Sequence, residues 1–301
     1  GRKPAGDTNP DNPKYLNPTS TPLYDKSRVL YGQDAEAIAK LHNGARAIIV
    51  EGPMDRLAIQ LAADQTGMDL VPVATCGSAL TDAHLDLLAQ HTALDHVILG
   101  FDADAAGRKA SIAAGKKLAA RGVATPDVEL FTAPAGADPA DILANDGAEL
   151  LAATLTDPQH HATLLELLVD DQLDQYDWSS SGFPLRELPI ASHAAHQATR
   201  LVADTVRERV TWGPAYAEQI QRQLTRIAER TGIDAAELNN HMIGVAFPDD
   251  YDGDAVAELD RAAAAGIDLA VHGAEPELEL RSDVGGEYQI EEVADADADR
   301  F

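Results

Sequence analysis

The stretch Ala47-Ile48-Ile49-Val50-Glu51-Gly52-Pro53-Met54-Asp55 decides how the chain is read. Its run of apolar, mostly β-branched residues fits a strand buried on both faces, as in a parallel sheet. Gly52-Pro53 ends the run, and Pro53 suits the first turn of a helix, where a backbone N–H has no partner to lose. Met54 to Ala63 then follows helical spacing. A strand that runs straight into a helix leaves Glu51 at the strand's carboxyl end. In open parallel sheets, ligands gather beyond those ends.

The unit repeats downstream. Leu70 to Ala74 reads as a second strand, although Pro72 withdraws one ladder donor. Gly77 to Leu80 reads as a turn, and Thr81 as the N-cap of a helix through Gln90. Val97 to Phe101 is a third strand, followed by a helix from Ala105 to Arg121, and Val128 to Phe131 is a fourth. Strands alternating with helices predict βαβ units. The expected architecture is an α/β domain over residues 43–150, with a parallel-type sheet flanked by helices.

Upstream, Leu30 to Leu41 is a short helical pattern, and residues 1–22, with five prolines, read as loop. Residues 1–42 therefore read as a lead-in segment. Past residue 159 the strand signal fades. Leu164, Leu165, Leu168 and Leu173, then Leu201 to Val210, then Tyr216 to Ile227, recur at helical spacing. They predict a small all-α domain over residues 151–247, interrupted by Trp178 to Pro184. Residues 248–301 are acidic and rich in Gly, Ala and Asp, which predicts an acidic tail of low order.

Composition limits the function classes. The chain has 301 residues and a formal net charge of −27, and residues 248–301, with 17 acids and three bases, carry about half of it. A chain this acidic does not coat nucleic acid by overall attraction, so phosphate binding would need local Lys and Arg. Cys76 is the only cysteine, which rules out a disulfide framework and a four-cysteine zinc site. His160-His161 and His193/His196 lack partners at ligand spacing, so no zinc is expected and capping or surface roles suit them. No run approaches the roughly 20 apolar residues that span a bilayer, so no membrane partner is expected. One cysteine and no visible signal peptide fit a reducing, cytoplasmic setting. The start at Gly1, inside a Gly/Pro/Asp/Asn-rich run, reads as a fragment of a longer protein.

Glu51 sits at the end of the first strand, and Asp102 and Asp104 at the end of the third. Residues two apart on extended chain share a side, so both aspartates can aim at one point. Three converging carboxylates repel one another unless a cation or protons neutralise them. Oxygen ligands of this kind suit Mg²⁺ or Mn²⁺, and such an ion serves phosphoryl chemistry. The competing role for Asp102 and Asp104 is capping the helix that follows them.

At these residues the chain resembles a known family. Glu51-Gly-Pro-Met-Asp55, Thr75-Cys-Gly-Ser-Ala-Leu-Thr81 and Phe101-Asp-Ala-Asp-Ala-Ala-Gly107 resemble the Toprim segments of bacterial DnaG-type DNA primases. Pro13-Lys-Tyr-Leu-Asn-Pro18 and Lys26-Ser-Arg-Val-Leu-Tyr-Gly32 resemble the stretch that leads into Toprim in those primases, and this lead-in favours primase over other Toprim proteins. The resemblance implies that Glu51, Asp102 and Asp104 hold catalytic divalent ions, that Asp55 supports them, and that Asp138 matches a further metal position. It also implies nucleotide contacts by Lys14, Tyr15, Asn17 and Lys26. The family places an acid directly after the proline of its last motif, where this chain has Ala140 and then Asp141.

The implied reaction is nucleotidyl transfer that builds short RNA primers. Its partners would be ribonucleoside triphosphates and a single-stranded DNA template, with a replicative helicase as a further candidate. The zinc module and the basic template-tracking subdomain of such primases are not seen in this sequence, so the priming core is expected to be incomplete in this chain. The alternatives are a Toprim-type metal-dependent nuclease and a non-catalytic module that binds a replication partner. Arg108, Lys109, Lys116, Lys117 and Arg121 give the helix after Asp104 a basic character, suited either to attracting a template or to a solvated surface. Gly77 and Gly107 are expected at backbone turns, and Cys76 as a small apolar packing residue.

Overall fold

The computed structural model describes residues 21, 25–77, 79–134, 137–176, 189–208, 211–212, 214–247 and 269–270. Lys14, Tyr15, Asn17, most of the 1–42 lead-in, the Trp178–Pro184 break and nearly all of the acidic tail lie outside them. The four expected strands form: β1 (Arg46–Val50), β2 (Leu70–Ala74), β3 (Val97–Gly100) and β4 (Glu129–Phe131). They lie in the order β2-β1-β3-β4, all parallel. A fifth strand, β5 (His161–Thr163), pairs antiparallel with β4, so the sheet is mostly rather than wholly parallel. Three half-buried residues carry too little alternation to announce a strand.

Side-chain alternation divides the sheet's core in two. Ile49, Val73 and Leu99 face one way, and there α1 (Ala35–His42), α3 (Asp82–Leu88) and α4 (Ala105–Ala119) cover them. Ile48, Val50 and Ile98 face the other way, under α2 (Pro53–Thr66), α5 (Pro139–Asp146) and α6 (Ala148–Thr156). The upstream helical pattern is shorter than expected. Leu30 is buried, Tyr31 bridges Ala74 at the β2 edge, and only from Ala35 is the chain helical. Helices α5 and α6 were not foreseen, although Asp138-Pro139 carries a cap-and-proline start for the first of them.

A third apolar cluster joins α7 (Leu164–Asp174), α8 (Pro189–Glu208), α9 (Pro214–Thr231) and α10 (Ala235–Ala246), the all-α part expected from the spacing. Leu164 carries this bundle onto the sheet layer. A Cβ on Gly115 of α4 would come within 2.7 Å of the Leu164 methyl groups, so glycine leaves the space that leucine fills. Among the described residues, no helix is long and apolar enough to cross a membrane.

Candidate metal centre

The strand order places the site. The connection from β1 leads to β2 on one side, while β3 lies on the other side of β1. The gap beyond the carboxyl ends of β1 and β3 is therefore the topological switch point, where chain departs in both directions and leaves a crevice. Glu51 stands at the end of β1, and Asp102 and Asp104 follow β3. The loop after β2 closes this end of the sheet: Thr75 N–H donates to the Val50 carbonyl and Gly77 N–H to the Glu51 carbonyl. Gly77 has φ +77°, the left-handed turn expected of it, and Cys76 adopts φ +54° beside it. Burial pushes the Cys76 thiol upward, which suits a packing residue rather than a nucleophile.

The carboxyls act on one another. Glu51 is raised above the usual carboxylate range by burial and then by the charge of Asp102, with Asp104 and Asp55 adding to it. A backbone hydrogen bond from Asp102 offsets part of that rise. Asp55, on the first turn of α2, is raised to about 6, mainly by burial and next by Asp138 and Asp102. A backbone bond from Ala140, 3.4 Å away, partly counters the rise. The structure thus brings Glu51, Asp55, Asp102, Asp104 and Asp138 into one electrostatic neighbourhood.

Two of these acids also cap helices. Asp104 Oδ1 accepts from Ala106 N–H at 2.9 Å and from Gly107 N–H at 2.8 Å, capping α4. Asp138 Oδ1 accepts from Asp141 N–H at 2.7 Å, capping α5. The capping role weighed against metal binding is therefore one that Asp104 performs, and both of its bonds fall on a single oxygen. Among the described residues, no three His, Cys, Asp or Glu side chains form a group that could close around one ion. The donor set still fits a hard cation. Glu51 and Asp55, half-buried and raised in part by the charges of neighbouring acids, gain from a positive charge nearby, and Mg²⁺ in particular binds through one or two carboxylates while keeping several waters.

Lys26 sits in a 3-10 turn, and its carbonyl accepts from the buried His84 ring at 2.9 Å. It lines neither of the hollows beside the acids. Three of the five cations on α4 and just past its end are paired. Lys117 pairs with Asp82 at 2.8 Å, Arg121 with Asp82 and Asp86, and Arg108 with Asp171 and Asp174. Two arginines of α9 likewise pair with α7, Arg226 and Arg230 both meeting Asp170. Missed in the sequence were His84, whose Nδ1 accepts from Thr81 N–H in a capping box, and His161, whose ring joins Glu129. The Thr81-x-x-His84 spacing held the first signal; the second needed the unseen strand β5.

Residues 48–143 match the family described as Toprim-like. The chain is 36% identical over 172 residues to a DNA primase from Streptomyces coelicolor, covering 55% of this chain and 24% of that protein. It spans about a quarter of the length of the curated relatives it matches. Its fold is similar to the RNA polymerase domain of the Mycobacterium tuberculosis primase DnaG in complex with double-stranded DNA. That likeness has a TM-score of 0.51 and 26% identity over 75% of this chain and 63% of that one. It is also similar to a DnaG primase catalytic domain bound to ssDNA, at a TM-score of 0.50 and 26% identity over 76% and 64% of the two chains. By its motifs and its fold, the chain is similar to the catalytic core of the DnaG-type DNA primases, through the Toprim-like residues 48–143 and the helices after them.

Proposed function

We propose that this chain is the Toprim and helical portion of a primase polymerase core that makes short RNA primers by template-directed nucleotidyl transfer. In this reading, Glu51, Asp102 and Asp104, with Asp138, hold divalent ions. The observation that carries it is the meeting of Glu51 and Asp102 at the switch point of the sheet, where burial and the charge of Asp102 raise the cost of ionising Glu51. Bound Mg²⁺ or Mn²⁺ would neutralise charge on the phosphates and favour ionisation of the attacking hydroxyl. The chain's own residues position that chemistry. Asp104 fixes the start of α4, the Gly77 turn holds the backbone of Glu51, and Asp55 lies within electrostatic reach of Asp102.

The kinship with a protein named DNA primase, and with a domain described as an RNA polymerase domain, supports synthesis rather than cleavage. Ribonucleoside triphosphates and a single-stranded DNA template are the substrates this implies, and a replicative helicase is a candidate partner. Lys14, Tyr15, Asn17 and Lys26 are proposed as nucleotide contacts on the resemblance alone. The separate apolar cluster of α7–α10 supports a helical subdomain at 151–247 beside a Toprim unit at 43–150.

A Mn²⁺ titration of the wild type and of the Asp102→Asn/Asp104→Asn double variant tests the site. The double variant should bind Mn²⁺ at least about tenfold more weakly, the scale expected on losing charged ligands. Unchanged affinity overturns the assignment. Incubation of the chain, with the zinc-binding and basic subdomains of a DnaG-type primase supplied in trans, with ribonucleotides, Mn²⁺ and labelled single-stranded DNA should yield template-directed RNA; cleavage of the DNA without synthesis would favour the nuclease.

A further inference from the structure

His42 closes α1 and His91 follows α3, 49 residues away in sequence, yet their rings meet. His42 Nε2 and His91 Nδ1 lie 3.1 Å apart, with the ring centroids 5.1 Å apart and the planes tilted by 53°. Both positions are held from below. Leu41 and Leu88 are buried in the same apolar cluster over the sheet, and His91 N–H donates to the Leu88 carbonyl at 2.8 Å. Gln33, just ahead of α1, donates to the Leu87 carbonyl at 3.4 Å across the same junction. The rings themselves stand toward solvent, His42 exposed and His91 half-buried.

Unfilled nitrogen sets this pair apart. His84 spends its two ring nitrogens on Thr81 N–H and the Lys26 carbonyl, and His161 spends its own on Glu129 and the Leu155 carbonyl. Among the described residues, the His42 and His91 rings hydrogen-bond only to each other, so one nitrogen on each is left to water. Their contact is a hydrogen bond only while one facing nitrogen carries a hydrogen and the other does not. Moving that hydrogen to the outer nitrogen of the same ring leaves two neutral imidazoles with two lone pairs at one opening. No proton is released in that change.

The spacing is that of a chelate. Nitrogens held about 2.0–2.1 Å from one ion stand about 2.9 Å apart at a right angle and about 3.4 Å apart at a tetrahedral one. The 3.1 Å gap lies between the two. Histidine χ2 is a broad torsion, so small swings of the rings turn both lone pairs onto a common point. Imidazole nitrogens suit Zn²⁺ and Cu²⁺, whereas Mg²⁺ and Mn²⁺ prefer oxygen. We propose that His42 and His91 form a two-imidazole site for a late first-row divalent ion, Zn²⁺ or Cu²⁺, with water completing its coordination. The ion ties the end of α1 to the end of α3. This site is independent of the carboxylate centre and of the function proposed for it.

The test titrates Zn²⁺ into the chain in excess Mg²⁺, which keeps oxygen sites filled, and follows the histidine ring signals by NMR. The His42 and His91 signals should move together and saturate with a single ion shared by the pair. His42→Gln and His91→Gln should each weaken binding there by at least about tenfold, read on the ring that remains. His96→Gln, at an exposed histidine outside the pair, should change it by less than about twofold. Cu²⁺ should bind at least as tightly as Zn²⁺. A titration of wild type that moves only one of the two rings, or neither, overturns the proposal whatever the folding of the variants. So does a single variant whose remaining ring answers Zn²⁺ with wild-type affinity. Movement of both rings with Mg²⁺ alone would overturn the choice of ion and, with it, the site.

Discussion

Gly107 and the backbone of Asp102 lie so close that a Cβ on Gly107 would sit 2.0 Å from the Asp102 carbonyl oxygen and 2.9 Å from its nitrogen. Gly107 is in the first turn of α4, and its N–H is one of the two that Asp104 caps. The helix start therefore presses directly on the loop that carries both aspartates. Backbone atoms cannot rotate away as a side chain would, so Gly107→Ala must shift either the loop or the helix. Alanine normally stabilises a helix interior relative to glycine by up to about 1 kcal/mol. Here the sign should reverse, with a loss of about 1–3 kcal/mol from overpacking. Gly244 of α10 is the control, because a Cβ there meets nothing within 4 Å. Gly244→Ala should hold or raise stability by up to about 1 kcal/mol. Urea denaturation of both variants checks the pair, and a stabilised Gly107→Ala would refute the close approach.

That contact marks the limit of what could be read from the sequence. The end of β1 at Val50 was legible, and that of β3 to within one residue (Gly100 rather than Phe101), because buried parallel strands are written as unbroken apolar runs, and so the positions of Glu51 and Asp102 followed. The cap at Thr81 was legible from residue type. The antiparallel strand β5 was not, since His161-Ala162-Thr163 shows neither a run nor alternation and is held by partners on β4. Nor was the use of the basic face of α4, because Lys117 and Arg121 find their acids on α3, about 35 residues away in sequence. Composition could say only that α4 was basic. Pairing across helices decided that most of this charge is neutralised at home.

The acids predict a pH dependence with a definite sign. Asp55 is raised from 3.8 to about 6, chiefly by burial. Between those values the unfolded chain has lost a proton that the folded chain keeps, so stability falls as pH rises from about 4 to about 6. The penalty persists above that window. Asp55→Asn should match the wild type near pH 4 and exceed it at pH 8 by about 1 kcal/mol, after allowance for solvent screening of a half-buried group. Glu51→Gln should act in the same direction, because Glu51 is also raised by burial and by Asp102. Added Mn²⁺ should stabilise wild type more at pH 8 than at pH 5, since a metal competes with protons for the same oxygens. Thermal melts across pH, with and without Mn²⁺, test all three. An Asp55→Asn protein less stable than wild type at pH 8 without metal would contradict the mutual repulsion.

At the far edge of the sheet, the opposite sign is expected. Arg46 of β1 donates two hydrogen bonds to Glu129 of β4, and His161 of β5 reaches Glu129 Oε1 at 2.7 Å. The other His161 nitrogen faces the Leu155 carbonyl at 3.0 Å. Both ring nitrogens thus meet acceptors, and only the doubly protonated imidazolium satisfies both. Its pKa is raised, first by the bond to Glu129. Burial opposes ionisation of Glu129, but the bonds from His161 and Arg46 outweigh it and carry the carboxyl down from 4.5 to about 2. A depressed acid contributes stability above its unfolded pKa and loses it as pH falls from about 4.5 to about 2. The raised histidine contributes fully below 6.5 and loses its share as pH rises through its folded pKa. The pair should therefore hold β5 most firmly between about pH 5 and pH 6.5. Glu129→Gln should cost about 1–2 kcal/mol in that window, with the difference shrinking toward pH 2. The same change should return the His161 titration toward 6.5, which an NMR pH titration reads directly. A His161 pKa unmoved by Glu129→Gln would mean that the strand is held by its backbone ladder alone.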